Sequence, residues 1–424
     1  KNIFNDNYYY NINYLYLFSL YKKINMKKIL MLSWSDLYGG AARACYQSYL
    51  SIKKDNKFVD LFVQKKISKD RNVKTYKTST LNLFFRKYFS LIMYKLRFSI
   101  HDYSYNLINS DIIKKSNLKN YDIVNLHWVN SETLSLKDIT KINKKIVMTL
   151  HDMWAFCGSE HYLYDLPKKY FMNGNEKKVN LFDYFIWKKK KELWKKKFNI
   201  VTPTVWLANL VKRSHLMKNF PVTVIPYSVN KSIYLKQKIN NIKINNTTLQ
   251  KNKEFIDVLF ISAGKLFNYR KGFDLLDNAV KNYKNKKKIR IILAGNFNEG
   301  DKIKIKSNFI MLGEVKNERT KSQLYNFVDL LALPSRLDNL PNVGLEAHSC
   351  GTPIVGFKVG GIPEIVTHKK TGYLVNPFSL KNFNKGISFV IKNKKNLSKN
   401  SIKKSKIWSP KIISTKYKSL FKRI

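Results

Sequence analysis

Asp338 and Glu346 stand eight residues apart within Pro334-Ser335-Arg336-Leu337-Asp338-Asn339-Leu340-Pro341-Asn342-Val343-Gly344-Leu345-Glu346-Ala347. The apolar run just before, Leu330–Leu333, reads as a strand that delivers this loop to the carboxyl edge of a parallel sheet, where open α/β folds bind ligands. A helix starting near Pro341 then points its free N–H groups and positive dipole end into that crevice, a natural seat for a diphosphate. Carboxylates bracketing such a seat can grip hydroxyls of a sugar on one side and of a ribose on the other. Acids on helices are usually solvated, so the chemistry of this pair comes from the strand end and helix start around it.

Counter-charge is available from Arg270 and Lys271, which precede a helix opening at Gly272 and follow the strand candidate Val258–Ser262. Such a pair can neutralise a leaving diphosphate, although alone it would be an ordinary basic turn. Gly39 and Gly40 follow the strand candidate Ile29–Ser33, where missing side chains let backbone N–H groups approach a phosphate or a reacting sugar. His127 and His151 close two neighbouring strand candidates, Ile123–Leu126 and Ile146–Leu150. A lone histidine is more often structural; two at adjacent strand ends are placed to meet a donor sugar and an acceptor oxygen. Metal ligation by these histidines with Asp152 is the rival reading.

The elements that must carry these residues are short apolar runs alternating with helical periodicity, the mark of parallel sheets covered on both faces. Further strands are expected at Val59–Val63, Ile200–Thr202, Val222–Ile225, Ile289–Ala294, Phe309–Leu312 and Pro353–Phe357. Two sheets are implied, with Asn230–Glu254, rich in Asn, Lys and Thr, expected as the linker between them. The 424-residue chain, 44% hydrophobic and 14% aromatic, is too long for a small disulfide-stapled fold and too apolar for disorder. Cys45, Cys157 and Cys350 share no CxxC or Cys/His spacing, which argues against a disulfide framework or structural zinc and fits a reducing cytoplasm. The first methionine is Met26, and residues 1–25 are expected to be a non-native or disordered leader, with no convincing signal peptide or membrane span.

Subtracting 28 acidic from 79 basic residues leaves a net charge of +51. That balance suits a polyanionic partner, and it equally suits compositional drift in a chain crowded with Lys, Asn, Ile and Tyr. Leu81–Phe98 and Leu181–Phe198 interleave aromatics with Lys and Arg at helical spacing. They read either as interfacial helices, with Lys188, Lys189, Lys190 and Lys191 facing an anionic surface, or as ordinary helices packed on a sheet.

The block from Asp338 to Glu346 resembles the E-x7-E signature of retaining glycosyltransferases of family 4. Met26–Ala42, Ile200–Lys212, Ile261–Leu276, Gly360-Gly361-Ile362-Pro363-Glu364 and Thr371–Val375 resemble, in order, other family segments. The resemblance implies an α/β fold of GT-B architecture: two Rossmann-like, doubly wound domains facing a cleft. Residues 26–229 would form an N-terminal acceptor-side domain, 230–254 the linker and 255–405 a nucleotide-sugar-binding domain, with a helix in 406–424 packing back on the first. The implied activity is transfer of a sugar from a nucleotide-diphosphate donor to a hydroxyl of a growing glycan, with retention of configuration and no cofactor or metal.

Carried over residue by residue, the resemblance gives His127, Asp338, Arg270 and Lys271 to catalysis. It gives Gly39, Gly40, Lys265, Asn339, Leu340 and Glu346 to the donor, with Arg270 and Lys271 on the diphosphate and Glu346 on the ribose. His151, Asp152, Trp154 and His161 fall on the acceptor side, where the stretch His151–Tyr162 resembles a polysaccharide-assembly branch whose aromatic loop could stack on acceptor rings. Departures are Asp for Glu at 338, Tyr227-Ser228-Val229-Asn230 in place of an Asn-Gly-x-Asp turn, and Lys265 for Arg. The partners implied are a nucleotide sugar and a glycan or lipid-linked glycan acceptor, in the cytoplasm or at the cytoplasmic face of an anionic membrane. A sugar-nucleotide epimerase with a similar cleft is the enzymatic alternative. A basic nucleic-acid binder is the other, though no recognition motif for nucleic acid is present.

Overall fold

The computed structural model describes residues 27–75, 84–86, 88–89, 91–92, 103–164, 181–195, 198–283 and 287–424. The leader expected over 1–25 lies outside these residues, as does much of the basic segment 81–98.

Ile29, Leu30, Met31 and Leu32 are all buried, because the strand they form lies inside a sheet covered on both faces. This strand, β1 (Ile29–Ser35), is followed by β2 (Val59–Lys65), β3 (Val73–Thr75), β4 (Ile123–His127), β5 (Lys145–Thr149), β6 (Asn199–Thr202) and β7 (Val222–Val224). They form a seven-stranded sheet in the order β3-β2-β1-β4-β5-β6-β7, all parallel. The second sheet contains β10 (Phe255–Ser262), β11 (Lys288–Gly295), β12 (Phe309–Met311), β13 (Leu330–Leu333), β14 (Ile354–Phe357) and β15 (Gly372–Val375), again parallel, in the order β12-β11-β10-β13-β14-β15. Each sheet reverses its winding once, between β1 and β4 and between β10 and β13. The segments leaving β1, β10 and β13 lead to Gly39 and Gly40, to Arg270 and Lys271, and to Asp338, and β4 ends in His127, as the switch-point rule requires. His151 and Asp152 follow the neighbouring β5.

Residues 230–254 are not a structureless linker. They contain an antiparallel hairpin of β8 (Asn241–Ile244) and β9 (Thr247–Gln250), and Ile242, Ile244 and Leu249 are buried in the core of the second domain. Alternation of apolar and polar residues lets one face of this hairpin pack while the other meets water.

The helices used below are α1 (Gly39–Asp55), α2 (Leu181–Leu193), α3 (Val205–Arg213), α4 (Phe273–Lys281), α5 (Glu318–Phe327), α6 (Asn342–Ser349), α7 (Leu380–Ser405) and α8 (Pro410–Arg423). Cys45, Tyr49 and Ile52 of α1 share a core with Ile413, Tyr417, Leu420 and Phe421 of α8, so the last helix returns to the first domain. The chain therefore crosses between domains twice. The two crossings touch, since the Val229 amide donates to the Trp408 carbonyl at 2.9 Å and Lys231 Nζ donates to Ser405 Oγ at 2.5 Å.

In α2, Ile186 and Trp187 face the core of the first domain while Leu181 and Phe185 are exposed. Lys190 does not face solvent: it is fully buried, donating to the carbonyls of Trp154, Cys157 and Gly158. The lysine run is thus split, with Lys190 closing an aromatic loop from below.

Candidate active site at the interdomain cleft

On the second domain, Gly272 caps α4 with φ of +66°, and a Cβ there would stand 2.1 Å from the Pro334 carbonyl oxygen. Only glycine allows the loop before α4 to lie flush on the loop after β13. That contact brings the basic pair to the acid. Asp338 Oδ2 accepts from Lys271 Nζ at 2.7 Å and lies 3.3 Å from Arg270 Nη1. Burial alone would raise the Asp338 pKa, but the two cations and the Asn339 amide hold it below the ordinary carboxylate value. From behind, the Gly360-Gly361 turn presses on this loop, since a Cβ on Gly360 would be 2.0 Å from the Asp338 carbonyl oxygen.

One to two turns into α6, Glu346 is buried as well. Lys321 Nζ lies 3.1 Å from its Oε2 and the Tyr325 hydroxyl donates to that oxygen at 2.7 Å. These two α5 residues were missed in the sequence; their four-residue separation, which puts both on one helix face, was the available signal. Leu340, expected beside the donor, is a core residue. Lys265 is exposed at the start of the loop that ends in Lys271.

On the first domain, His127 and His151 do meet. His127 Nδ1 is 3.2 Å from His151 Nε2, and His151 Nδ1 is 2.8 Å from the Tyr227 hydroxyl. Burial, and then the neighbouring imidazole, drive the His127 pKa well below its usual value; burial lowers His151 to about 4 against the opposing pull of Asp152. Both rings are neutral at pH 7. Burial also keeps the Tyr227 phenol protonated. If that phenol donates to His151, His151 Nε2–H donates to His127 Nδ1, and His127 carries its remaining proton on Nε2. That atom is buried without a partner among the described residues, a donor waiting for an acceptor. Tyr227 stands where the sequence departs from the family turn, so its role was not foreseen.

The remaining expected acceptor-side residues form a buried cluster. Asp152 Oδ2 is 2.5 Å from His161 Nδ1 and accepts from Trp128 Nε1 at 3.0 Å, while His161 Nε2 is 2.9 Å from Ser104 Oγ. Burial would raise the Asp152 pKa, yet His161 and the Trp154 amide bring it below the ordinary value. Ser104, His161 and Asp152 are wired like a nucleophilic triad, but Ser104 is 5% exposed and its carbonyl is held by Trp154 Nε1–H. Trp154, named on the acceptor side, is not the ring of this loop that could meet a sugar. It is 4% exposed, with Lys190 Nζ 3.8 Å from a ring centroid. The same loop instead reaches across the cleft, where the Arg270 guanidinium lies 4.7 Å from the Tyr162 ring centroid and Tyr164 packs edge-on to Tyr269.

Other contacts fix the two faces. Asn339, the neighbour of Asp338, donates from Nδ2 to the His151 carbonyl at 3.0 Å and accepts from Thr204 Oγ1 at 2.6 Å. Glu364 accepts from the Val205 and Trp206 amides at the start of α3. Gly39 has φ of +82°, and the Gly40 carbonyl accepts from Asn342 Nδ2 at the first residue of α6. The glycine turn, the paired histidines and the Lys271–Arg270–Asp338 cluster thus share one cleft. Among the described residues no group of three or more His, Cys, Asp and Glu is arranged to hold a metal ion.

Two doubly wound domains with their switch points opposed across a cleft define the GT-B architecture. Residues 245–408 match the family described as Glycosyl transferases group 1. An uncharacterized glycosyltransferase of Methanocaldococcus jannaschii is 30% identical over 127 residues, 28% of this chain and 32% of that one. Another, of Haemophilus influenzae, is 32% identical over 159 residues, 35% of this chain and 44% of that one. The chain thus spans less than half the length of these relatives. An uncharacterized 41.2 kDa protein in the cps region of Klebsiella pneumoniae is 26% identical over 271 residues, 62% of this chain and 68% of that one.

Among solved structures, sucrose-phosphate synthase of Thermosynechococcus elongatus superposes with a TM-score of 0.67 at 14% identity, over 94% of this chain and 99% of that one. The Anabaena protein HepE in complex with UDP-glucose gives 0.63 at 14% identity, over 94% of this chain and 100% of that one. At these identities the likeness is one of fold.

Proposed function

We propose that this chain is a glycosyltransferase that moves a sugar from a nucleoside-diphosphate donor to a hydroxyl of a growing glycan, with retention of configuration. The observation that carries this reading is the convergence of Lys271, Arg270 and Asp338 beside the start of α6, within reach of the paired histidines through Asn339. A diphosphate entering there meets two cations and free helix N–H groups. The family match over 245–408 and the UDP-glucose bound by a structure of the same fold support it.

In the reaction, the bond from the donor's anomeric carbon to the diphosphate oxygen breaks as Lys271 and Arg270 take up the leaving charge. The acceptor oxygen forms the new bond on the same face, and its proton passes to the departing phosphate oxygen. His127 Nε2–H donates to a sugar hydroxyl and Glu346 holds the ribose through a lone pair not used by Lys321 or Tyr325. The exchange is redox-neutral and calls for no cofactor. The match to a protein in a cps region supports a polysaccharide acceptor, which in this reading is a surface polysaccharide or lipid-linked saccharide met at the cytoplasmic face of the membrane. Screening nucleotide sugars for thermal stabilisation is the test, because a ligand that binds only the native state raises its stability. A donor that stabilises the parent but not Lys271→Ala supports the assignment; a panel without effect overturns it.

A further inference from the structure

The carboxyl edge of the first sheet presents a different set of aromatic side chains from those that the sequence suggested. Trp34 is the penultimate residue of β1, Tyr38 immediately precedes the Gly39-Gly40 turn, and Trp128 immediately follows His127, so the three stand on both sides of the β1/β4 switch point. The Trp34 and Tyr38 rings meet edge to face at 5.3 Å between centroids, and Trp34 meets Trp128 at 5.8 Å. Tyr38 is 57% exposed and the two indoles are half-buried.

Trp128 is held in place at a cost. Its φ is +44°, a conformation that a bulky L residue rarely adopts, and Asp152 fixes its indole N–H. Exposed Lys65, at the end of β2, puts its ammonium 4.6 Å from the Tyr38 ring centroid and 5.7 Å from that of Trp34. It has no carboxylate partner among the described residues.

We propose that this shelf seats the acceptor, and that the sugar residue it takes is acidic, a uronate whose carboxylate pairs with Lys65. The proposal rests on the glycosyltransferase reading of the cleft. A pyranose ring offers a flat face of C–H groups that buries well on aromatic rings, while the few polar groups of such a site set orientation and selectivity. The lone ammonium beside the rings gains its full charge-assisted bonding from an anion brought by the ligand. One cation matches the single charge of a carboxylate. A ring lying on the shelf borders both the glycine turn, whose Gly40 carbonyl touches Asn342 of the opposite domain, and His127. An acceptor hydroxyl there would face the anomeric carbon of a donor held by Lys271.

The test is a fluorescence titration of the full chain with a hyaluronan tetrasaccharide, which carries glucuronate, and with neutral maltotetraose, at physiological salt. The acidic sugar should bind about tenfold more tightly. Tyr38→Ala should weaken both sugars and Lys65→Gln only the acidic one, each by about fivefold or more, with UDP affinity unchanged. Both residues are exposed, so neither change threatens the fold. Lys399→Gln, on α7 of the other domain, is the control for bulk charge and should alter nothing. Equal affinity for the two sugars, loss of acid binding in Lys399→Gln equal to that in Lys65→Gln, or unchanged binding in Tyr38→Ala would each overturn the proposal. Failure of UDP to bind the parent would instead strike the glycosyltransferase reading, which the saccharide titrations do not measure.

Discussion

The two walls of the cleft are built on opposite electrical plans. The second domain brings full charges together and pairs them with one another: Lys271 and Arg270 on Asp338, Lys321 on Glu346. The first domain brings neutral rings together and joins them by hydrogen bonds, from Tyr227 through His151 to His127. On the charged wall a ligand must exchange one partner for another, because buried ions are tolerated only when paired. On the neutral wall, with the Tyr227 phenol donating to His151, His127 Nε2, unpartnered among the described residues, is a donor already oriented. In the proposed reaction the charged wall holds the diphosphate and the neutral wall shapes what happens to the sugar.

Substitutions can break this division, and the largest loss should come on the charged wall. Lys271→Ala should lower turnover by about a hundredfold or more, the scale seen when one donor to a developing charge is removed. Arg270 remains to pair with Asp338, so the melting temperature should stay within a few degrees; a variant that melts normally and turns over normally would unseat the diphosphate assignment. Glu346→Gln should weaken UDP binding by about tenfold, since a neutral amide replaces a charged hydrogen-bond acceptor. Equal UDP affinity in calorimetry would remove Glu346 from the ribose.

Tyr227→Phe tests the neutral wall. Without the phenol the proton positions on His151 and His127 are no longer fixed, and kcat should fall by about tenfold while UDP affinity is unchanged, as for a contact made in the transition state. A fall in UDP affinity of the same size would mean that the relay serves the fold of the cleft instead of the reaction.

An effect on stability and not on turnover lies beneath that wall, at Lys190, whose pKa burial lowers from 10.5 to about 7. A lysine harder to protonate when folded costs stability below pH 7, and the cost is relieved as pH rises from 7 toward 10.5. The parent should therefore gain stability over Lys190→Met between pH 7 and 9, by at most about 1.4 kcal/mol per pH unit. Parallel pH curves in urea unfolding would show that Lys190 stays charged or is already exposed.

The second sheet was largely legible because its strands are continuous apolar runs and its loops carry glycines that no other residue can replace, as at Gly272 and Gly360. The hairpin of β8 and β9 was not read, although Asn-Ile-Lys-Ile alternates strictly and Asn245, with φ of +53°, is a typical hairpin-turn residue. Its Asn and Lys content drew attention away from its period. Lys190 had no signal at all: within four successive lysines, burial of one is decided by which carbonyls lie opposite. The aromatic loop was recognised, but which of its rings are covered was not, since sequence cannot tell Trp154, buried under Lys190, from half-buried Trp128, which a strained backbone holds. Tyr227 was noticed only as a departure from a pattern.

The paired crossings at Val229 and Trp408 have a mechanical consequence. Two bodies joined by one tether can swivel and bend in any direction, whereas two tethers side by side, stitched by the Val229–Trp408 bond and by Lys231, behave like the leaves of a door. Swinging about the line of the tethers is soft; shearing or twisting would have to stretch one of them. Any widening of the gap, once the Asn339 and Asn342 bonds across it part, would be guided so that Lys271 and His127 return to register.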